Sequence, residues 1–232
     1  FPTHDGEWAV VRLADMFRSL RDLQFPVRFS GALNFGYGYP LFNFVYPGPY
    51  YLGIPLYFLT GSFVWAIKIL FAASVPLSGI AMYFASRKLW NGILPGFVSA
   101  AVYMYLPYRM VDLYVRGSIG ESLSFVLFPL ILYFALRLFD SRNRILELSL
   151  LSFLIALLIV THNIMTVLFL PAFFAIIAAR IYINKQKDLL KYFASSILLA
   201  AALSAFFWIP AILEKGNILL SQIPIANRNI YF

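Results

Sequence analysis

Residues 145–182, ILELSLLSFLIALLIVTHNIMTVLFLPAFFAIIAARIY, decide the fold class of this chain. Two apolar runs of membrane-crossing length flank the polar triplet Thr161-His162-Asn163. Glu147 and Arg180 are the only Asp, Glu, Lys or Arg residues in the stretch, and both lie near its ends. The stretch therefore predicts two antiparallel transmembrane helices joined by a tight polar turn.

The composition of the whole chain also indicates a membrane protein. Hydrophobic residues make up 62% of the 232 residues and charged residues only 12%, whereas a soluble domain carries about twice that charged fraction. The net charge of +8 does not indicate nucleic-acid binding, because the basic residues punctuate apolar runs instead of forming a patch. We expect membrane lipids as partners and no nucleic acid. The lack of Cys excludes disulfides, thiolate catalysis and Cys-ligated zinc.

The pattern of apolar runs predicts an all-α, polytopic membrane protein with about six transmembrane helices. The predicted spans are residues 62–86, 92–108, 119–139, 145–161, 163–182 and 191–213. Residues 8–23 have apolar side chains at helical spacing and predict an amphipathic helix in the outer interface. Residues 47–60 are apolar but too short to span, and predict a juxtamembrane or re-entrant helix.

The basic residues of the short connections predict the orientation. Nine Lys and Arg residues lie in the turns after the first, third and fifth spans: Arg87, Lys88, Arg137, Arg142, Arg144, Arg180, Lys185, Lys187 and Lys191. The connections on the other side, 109–118 and 161–163, contain two basic residues and none, respectively. The positive-inside rule makes the nine-residue side cytoplasmic. Residues 1–46, 109–118, 161–163 and those after about 214 are then expected outside.

Five ionisable residues that are hard to place in a membrane all fall at this outer face. They come from distant segments of the chain: His4, Asp5, Arg116, Glu121 and His162. Such a convergence is typical of a functional site. Structural roles remain open, since Asp5 can cap a helix, Arg116 and Glu121 can form a latch, and a polar triplet can simply make a turn.

The same residues have specific functional interpretations. Asp5, with His4 beside it, is predicted to be a catalytic base or, with Glu7, a ligand of a divalent Mg or Mn ion. The planar fork of Arg116 suits a phosphate. Glu121 would orient Arg116, bind metal or contact acceptor hydroxyls.

Three further outer-face positions carry predictions. His162 can donate to a phosphate or act as an acid or base. Asn163 is predicted to bind the donor phosphate. Lys68 lies about two turns below the outer end of the first span, where it either snorkels to the interface or neutralises a lipid phosphate. Asp112, with Tyr108 and Arg109, is expected to be solvated in the outer loop.

We divide the chain into a first outer loop with juxtamembrane helices (1–61), a transmembrane domain (62–213) and an outer segment (214–232). The start at Phe1 and the lack of a terminal motif predict a piece of a longer polypeptide. No nucleotide loop, nucleophile elbow or HExxH motif is present. Any chemistry is therefore expected to use a membrane lipid as donor.

Several spaced motifs resemble a known family. They are His4-Asp5, Phe25-Pro26-Val27-Arg28, Gly36-Tyr37-Gly38-Tyr39-Pro40-Leu41-Phe42, Pro49-Tyr50-Tyr51, Arg116-Gly117 with Glu121, and Thr161-His162-Asn163. In this order they resemble the prokaryotic membrane family described as 6-pyruvoyl-tetrahydropterin-synthase-related. Nothing resembles the soluble pterin enzyme itself, whose zinc-binding histidines are absent.

That family in turn resembles the multi-spanning glycosyltransferases of the C fold class (GT-C). The resemblance implies transfer of a sugar from a polyprenyl-phosphate donor at the extracytoplasmic side of the prokaryotic cytoplasmic membrane. It also implies that Asp5 corresponds to the first-loop acid, the general base or metal-facing carboxylate. Two other hypotheses stay open: a transporter or lipid flippase, and a non-catalytic subunit that packs with other membrane subunits.

Overall fold

The computed structural model describes residues 3–217, in which the regular structure is helical apart from one antiparallel bridge between Ser30 and Tyr39. Two 3₁₀ turns (Asn34–Gly36 and Lys215–Asn217) and one π-helical turn (Asp112–Arg116) accompany the α-helices. The α-helices are α1 (Gly6–Arg21), α2 (Leu41–Phe44), α3 (Gly48–Thr60), α4 (Phe63–Trp90), α5 (Ile93–Met104), α6 (Pro107–Val111), α7 (Ile119–Asp140), α8 (Arg144–Thr161), α9 (Asn163–Ile183), α10 (Leu189–Leu203) and α11 (Ala205–Glu214).

Four helices of the described part are long and apolar enough to cross a membrane: α4, α7, α8 and α9. A fifth crossing is available if α10 and the helix that follows it, bent by 69° at Ser204, count together. Ser204 lies at the bend, directly after the last residue of α10, and its hydroxyl donates to the carbonyl of Ala200 at 2.8 Å. The predicted all-α, multi-pass architecture is confirmed, with four or five candidate spans in place of about six.

The predicted span 92–108 is not one helix. α5 has 12 residues and rises about 18 Å, which is well short of the hydrocarbon core. It ends before Pro107, whose ring disfavours helical geometry at Leu106. The chain nevertheless runs antiparallel to α4, since Ser99 hydrogen-bonds Ser86 at 2.8 Å and Arg109 hydrogen-bonds Ser74 at 3.2 Å.

Ion pairs and hydrogen bonds define two ends of the helix bundle. At one end, which we call the basic end, Lys88 pairs with Asp140 and Arg144 pairs with Asp188, each at 2.7 Å. The predicted basic turns all follow helices that finish at this end. At the other end, which we call the site end, the side-chain amide of Asn43 donates to Glu214 at 2.5 Å.

The N-terminal region packs against the site end through α1 and α3, which share an apolar core with the first half of α4. The predicted amphipathic helix is present as α1, but its polar face is not simply solvated. Asp15 and Ser19 are buried because the loop that follows α1 folds back over them. Ser30 donates to the Asp15 carboxylate, and Ser19 donates to the carbonyl of Phe29 at 3.2 Å. The predicted juxtamembrane helix at 47–60 is present as α3.

Candidate functional site

A three-residue hydrogen-bonded cluster occupies the start of α7. The Arg116 guanidinium holds both oxygens of Glu121, with Nη2 at 2.6 Å from Oε1 and Nη1 at 2.8 Å from Oε2. The Tyr108 hydroxyl donates to Glu121 Oε2 at 2.7 Å and accepts from Arg116 Nη1 at 2.9 Å. Arg116 is the last residue of the π-helical turn and is followed by Gly117 in the left-handed conformation. Glu121 lies in the first turn of α7. The predicted pairing of Arg116 with Glu121 is therefore present in this structure.

The arrangement leaves part of Arg116 available to a ligand. The Glu121 side chain is only 4% exposed, whereas the Arg116 side chain is 40% exposed. Among residues 3–217, Glu121 and Tyr108 occupy three of the five N–H donors of the guanidinium and leave one donor on Nε and one on Nη2. These two lie along the other edge of the fork, which matches a pair of phosphate oxygens.

His162 joins this cluster from the turn between α8 and α9. Its Nε2 lies 3.9 Å from Glu121 Oε1, and its ring stacks on Tyr46 with centroids 4.6 Å apart. Its Nδ1 accepts the backbone N–H of Met165 at 3.2 Å and so caps α9. The neutral ring must then carry its proton on Nε2, where it is a hydrogen-bond donor. Burial lowers the pKa of His162, although Glu121 opposes that effect.

This lowered pKa predicts a loss of stability in mild acid. The unfolded chain binds a proton at the ordinary His pKa of about 6.5, whereas the folded chain binds it only at lower pH. Stability is therefore fully present above about pH 6.5 and falls as the pH drops toward the folded pKa. Thermal unfolding of wild type and His162→Asn between neutral pH and about pH 5 measures it. Asparagine keeps a cap acceptor but does not titrate, so equal pH slopes in the two proteins would contradict the prediction.

Tyr46 packs against the start of α7, where only glycine fits. A Cβ on Gly120 would lie 2.6 Å from Tyr46 Cε2 and 2.7 Å from the carbonyl oxygen of Thr161. Gly120→Ala should therefore destabilise the protein by about 1–3 kcal/mol, because the backbone of α8 and the Tyr46 ring must shift. Thermal unfolding measures the loss, and Gly31→Ala is the control, since a Cβ there meets nothing within 4 Å. Equal melting temperatures for both variants would refute the packing argument.

The residues just before α1 are bonded to the π-helical turn by backbone hydrogen bonds. The N–H of His4 donates to the carbonyl of Val115 at 3.0 Å, and the N–H of Asp5 donates to that of Arg116 at 2.7 Å. Asp5 stands at the N-cap position, but its side chain makes no capping bond. Thr3 supplies the cap instead, through its Oγ1 to the N–H of Gly6 at 3.0 Å. The Asp5 carboxylate is therefore exposed and not used by the helix.

The Asp5 carboxylate acts electrostatically on two tyrosines beneath it. Burial raises the pKa of Tyr46 and of Tyr50, and the negative charge of Asp5 raises both further. Arg12 Nη1 donates to the Tyr50 hydroxyl at 3.4 Å. The two phenols thus stay protonated at neutral pH, and the Tyr46 ring also stacks on the His162 ring.

The remaining predicted residues lie around this cluster rather than in it. Asn163 is exposed at the start of α9, and its side chain accepts the N–H of Ile164 at 3.0 Å. Lys68 lies on α4 over the ring of Trp65, at 5.1 Å from its centroid, and lines a cavity with Glu7. Within residues 3–217 no group of three or more His, Asp or Glu side chains is placed to hold a metal ion. A Mg or Mn ion on Asp5 and Glu7 stays a prediction.

The expectation of a solvated loop at Tyr108, Arg109 and Asp112 is wrong for the last two residues. Arg109 and Asp112 are fully buried, because α6 and the π-helical turn fold inward between α4 and α7. Arg109 Nη2 donates to Ser74 at 3.2 Å, and Ser122 donates to Asp112 at 2.8 Å. The bond from Ser122 to Asp112 holds the turn that carries Arg116 against α7, the helix that carries Glu121, and the bond from Arg109 to Ser74 holds α6 against α4.

The sequence pattern of the 6-pyruvoyl-tetrahydropterin synthase related domain, described as a membrane protein, matches residues 42–224. The chain belongs to this family. Arg116, Glu121 and His162 lie inside the matched region of the family, whereas His4 and Asp5 precede it. Comparison with curated proteins and with solved structures gave no match. The likeness of the family to GT-C enzymes stays a hypothesis.

The sequence did not indicate two tyrosines of the site. They are Tyr108, whose hydroxyl bonds Glu121, and Tyr46, whose ring stacks on His162. Interfacial tyrosines are common in membrane proteins, and 15 tyrosines in the chain hide the two that matter. Tyr46 directly precedes the Pro47-Gly48 start of α3. Gly48 packs so closely on the end of α8 that a Cβ on it would lie 2.7 Å from the carbonyl oxygen of Val160. The Pro47-Gly48 pair indicates a helix start after Tyr46, but no local pattern indicates that Tyr46 lies next to the end of α8.

Proposed function

We propose that this protein is a membrane glycosyltransferase that moves a sugar from a polyprenyl-phosphate donor to an acceptor hydroxyl at the site end. The observation that supports the proposal most is the convergence of Asp5, the Arg116–Glu121 pair and His162 from three distant segments. The two exposed functional groups among them, a guanidinium edge and an unused carboxylate, have the two chemistries that such a transfer needs.

Arg116 is the group that binds the donor phosphate, because its unoccupied Nε and Nη2 donors receive two phosphate oxygens. His162 is buried, and with its Nε2 at 3.9 Å from Glu121 Oε1 it supports the Arg116–Glu121 pair from inside the protein. Glu121 fixes the plane of the guanidinium through its two-point contact. A preorganised donor set of this kind stabilises the charge that develops on the leaving phosphate.

Asp5 is the group that activates the acceptor. Its carboxylate takes the proton of the acceptor hydroxyl while the oxygen forms a bond to the anomeric carbon of the sugar. The bond between that carbon and the phosphate oxygen breaks, and its electron pair leaves with the lipid phosphate. Asp5 then returns the proton to water. No step needs an oxidant, a reductant or a nucleotide.

A direct test uses the purified full chain in lipid vesicles with a panel of polyprenyl-phosphate sugars labelled in the sugar. We expect label to pass from at least one donor to an acceptor fraction, with release of an equal amount of polyprenyl phosphate. Release of lipid phosphate with label appearing in water would indicate hydrolysis instead. If every donor in the panel remains intact with membrane extracts as acceptor source, the proposal fails.

The proposal places the site end on the extracytoplasmic side, which predicts a specific labelling pattern. Because the chain has no Cys, single-cysteine variants report topology without background. Asn163→Cys at the site end should react with an impermeant maleimide in intact cells. Lys187→Cys at the basic end should react only after the membrane is opened. The reverse pattern would place the site in the cytoplasm and overturn the assigned side.

A further inference from the structure

A cavity of about 840 Å³ opens between α1, α4 and the π-helical turn at the site end. Its wall is mostly apolar and includes Val10, Val11, Val64, Ile67, Phe71 and Leu113. Two charged side chains also line it, Glu7 from the first turn of α1 and Lys68 from the second turn of α4. The volume is that of a complete site for a ligand of moderate size.

The two charges face the same space without neutralising each other. Their charged atoms are more than 4.0 Å apart, and neither forms an ion pair with another group in residues 3–217. Both side chains are exposed. Lys68 is held over the Trp65 ring, an arrangement typical of the headgroup level of a bilayer. The cavity thus presents one cation and one anion above an apolar wall.

We propose that this cavity binds an aminophospholipid of the phosphatidylethanolamine type. The Lys68 ammonium binds the lipid phosphate, the Glu7 carboxylate accepts N–H bonds from the lipid ammonium, and the acyl chains lie on the apolar wall. This lipid is neither donor nor acceptor of the transfer proposed above, so the inference does not depend on that reaction.

Charge complementarity favours this occupant over other lipids. An anionic phosphatidylglycerol satisfies Lys68 but brings no cation to Glu7. A phosphatidylcholine brings a cation, but its quaternary ammonium has no N–H to donate. Only the primary ammonium both neutralises Glu7 and forms hydrogen bonds with it.

Tryptophan quenching by brominated lipids tests the proposal. A full-length variant in which Trp8, Trp90 and Trp208 are replaced by Phe keeps Trp65 as its single tryptophan. This Trp65-only chain is reconstituted in phosphatidylcholine vesicles that contain brominated phosphatidylethanolamine, phosphatidylcholine or phosphatidylglycerol in turn. We expect the apparent affinity near Trp65 to be highest for the ethanolamine lipid, by roughly fivefold over phosphatidylglycerol, the size of one partly exposed charge pair. A chain with Trp90 alone, at the basic end, is the matched control and should not prefer the ethanolamine lipid.

Substitutions then separate the two charges. Glu7→Gln should abolish the preference for the ethanolamine lipid over phosphatidylglycerol. Lys68→Gln should weaken quenching by all three lipids, Lys68→Arg should restore it, and Lys187→Gln should change nothing near Trp65. Equal quenching by the three lipids in the Trp65-only chain, or an unchanged ethanolamine preference when Glu7→Gln is added to it, would overturn the proposal. Neither readout requires transfer activity.

Discussion

Arg116→Ala should lower the rate of sugar transfer by about 100-fold or more, because the proposed reaction uses Arg116 as the principal donor to the leaving phosphate. It should also destabilise the fold, since Glu121 is left buried without its ionic partner. The loss from a fully buried pair is several kcal/mol, and the partial exposure of Arg116 reduces it to about 1–3 kcal/mol. Transfer rates in vesicles and melting temperatures in detergent measure the two effects separately.

The chain contains its own control for this prediction. Arg137 and Glu147 form a second ion pair with the same 2.6 Å contact, a 41% exposed arginine and a 1% exposed glutamate, close to the 40% and 4% of the first pair. This pair lies at the basic end. Arg137→Ala should therefore lower the melting temperature about as much as Arg116→Ala and leave the transfer rate of the folded protein unchanged. If the two variants lose activity equally, Arg116 is a structural latch and not a phosphate ligand.

Asp5→Asn should lower the transfer rate by about 100-fold to 10,000-fold, the contribution of a positioned general base. Its melting temperature should stay at the wild-type value, because the Asp5 side chain makes no capping bond and its backbone bond to Arg116 is retained.

Asp22→Asn is the matched control for Asp5→Asn, since Asp22 is an exposed acid at the other end of α1. It should retain full activity. A wild-type rate in Asp5→Asn would remove Asp5 from the mechanism. A lowered melting temperature in Asp5→Asn would assign it the helix-capping role that its position in the sequence also allows.

Local spacing predicted the parts of the site that depend on neighbours along the chain. Arg116 and Glu121 are five residues apart across the start of a helix. The left-handed Gly117 reverses the chain between them, so that the two side chains can meet. The turn at His162 follows from two apolar runs that meet there. Both predictions rest on the requirement that polar groups at a membrane surface find partners or water.

The parts that depend on tertiary packing could not be predicted in the same way. Arg109 and Asp112 look solvated in sequence because they lie between two apolar runs, but α5 is too short to finish its crossing and the following turn folds inward. Asp15 lies on the polar face of α1, and its burial depends on the return of the loop at Ser30. In each case a distant segment supplies the partner, and a local pattern contains no information about it.

The two Arg–Glu pairs lie at opposite ends of α7 and are separated by about 24 Å along its axis, from Glu121 to Arg137. This spacing is slightly less than the thickness of a hydrocarbon layer. Any slide of α7 along the membrane normal therefore brings one pair closer to the headgroups and draws the other deeper into the lipid tails. One ion pair near each interface thus limits the movement of α7 along the membrane normal, and bilayer thickness sets the depth of Arg116 relative to the headgroups.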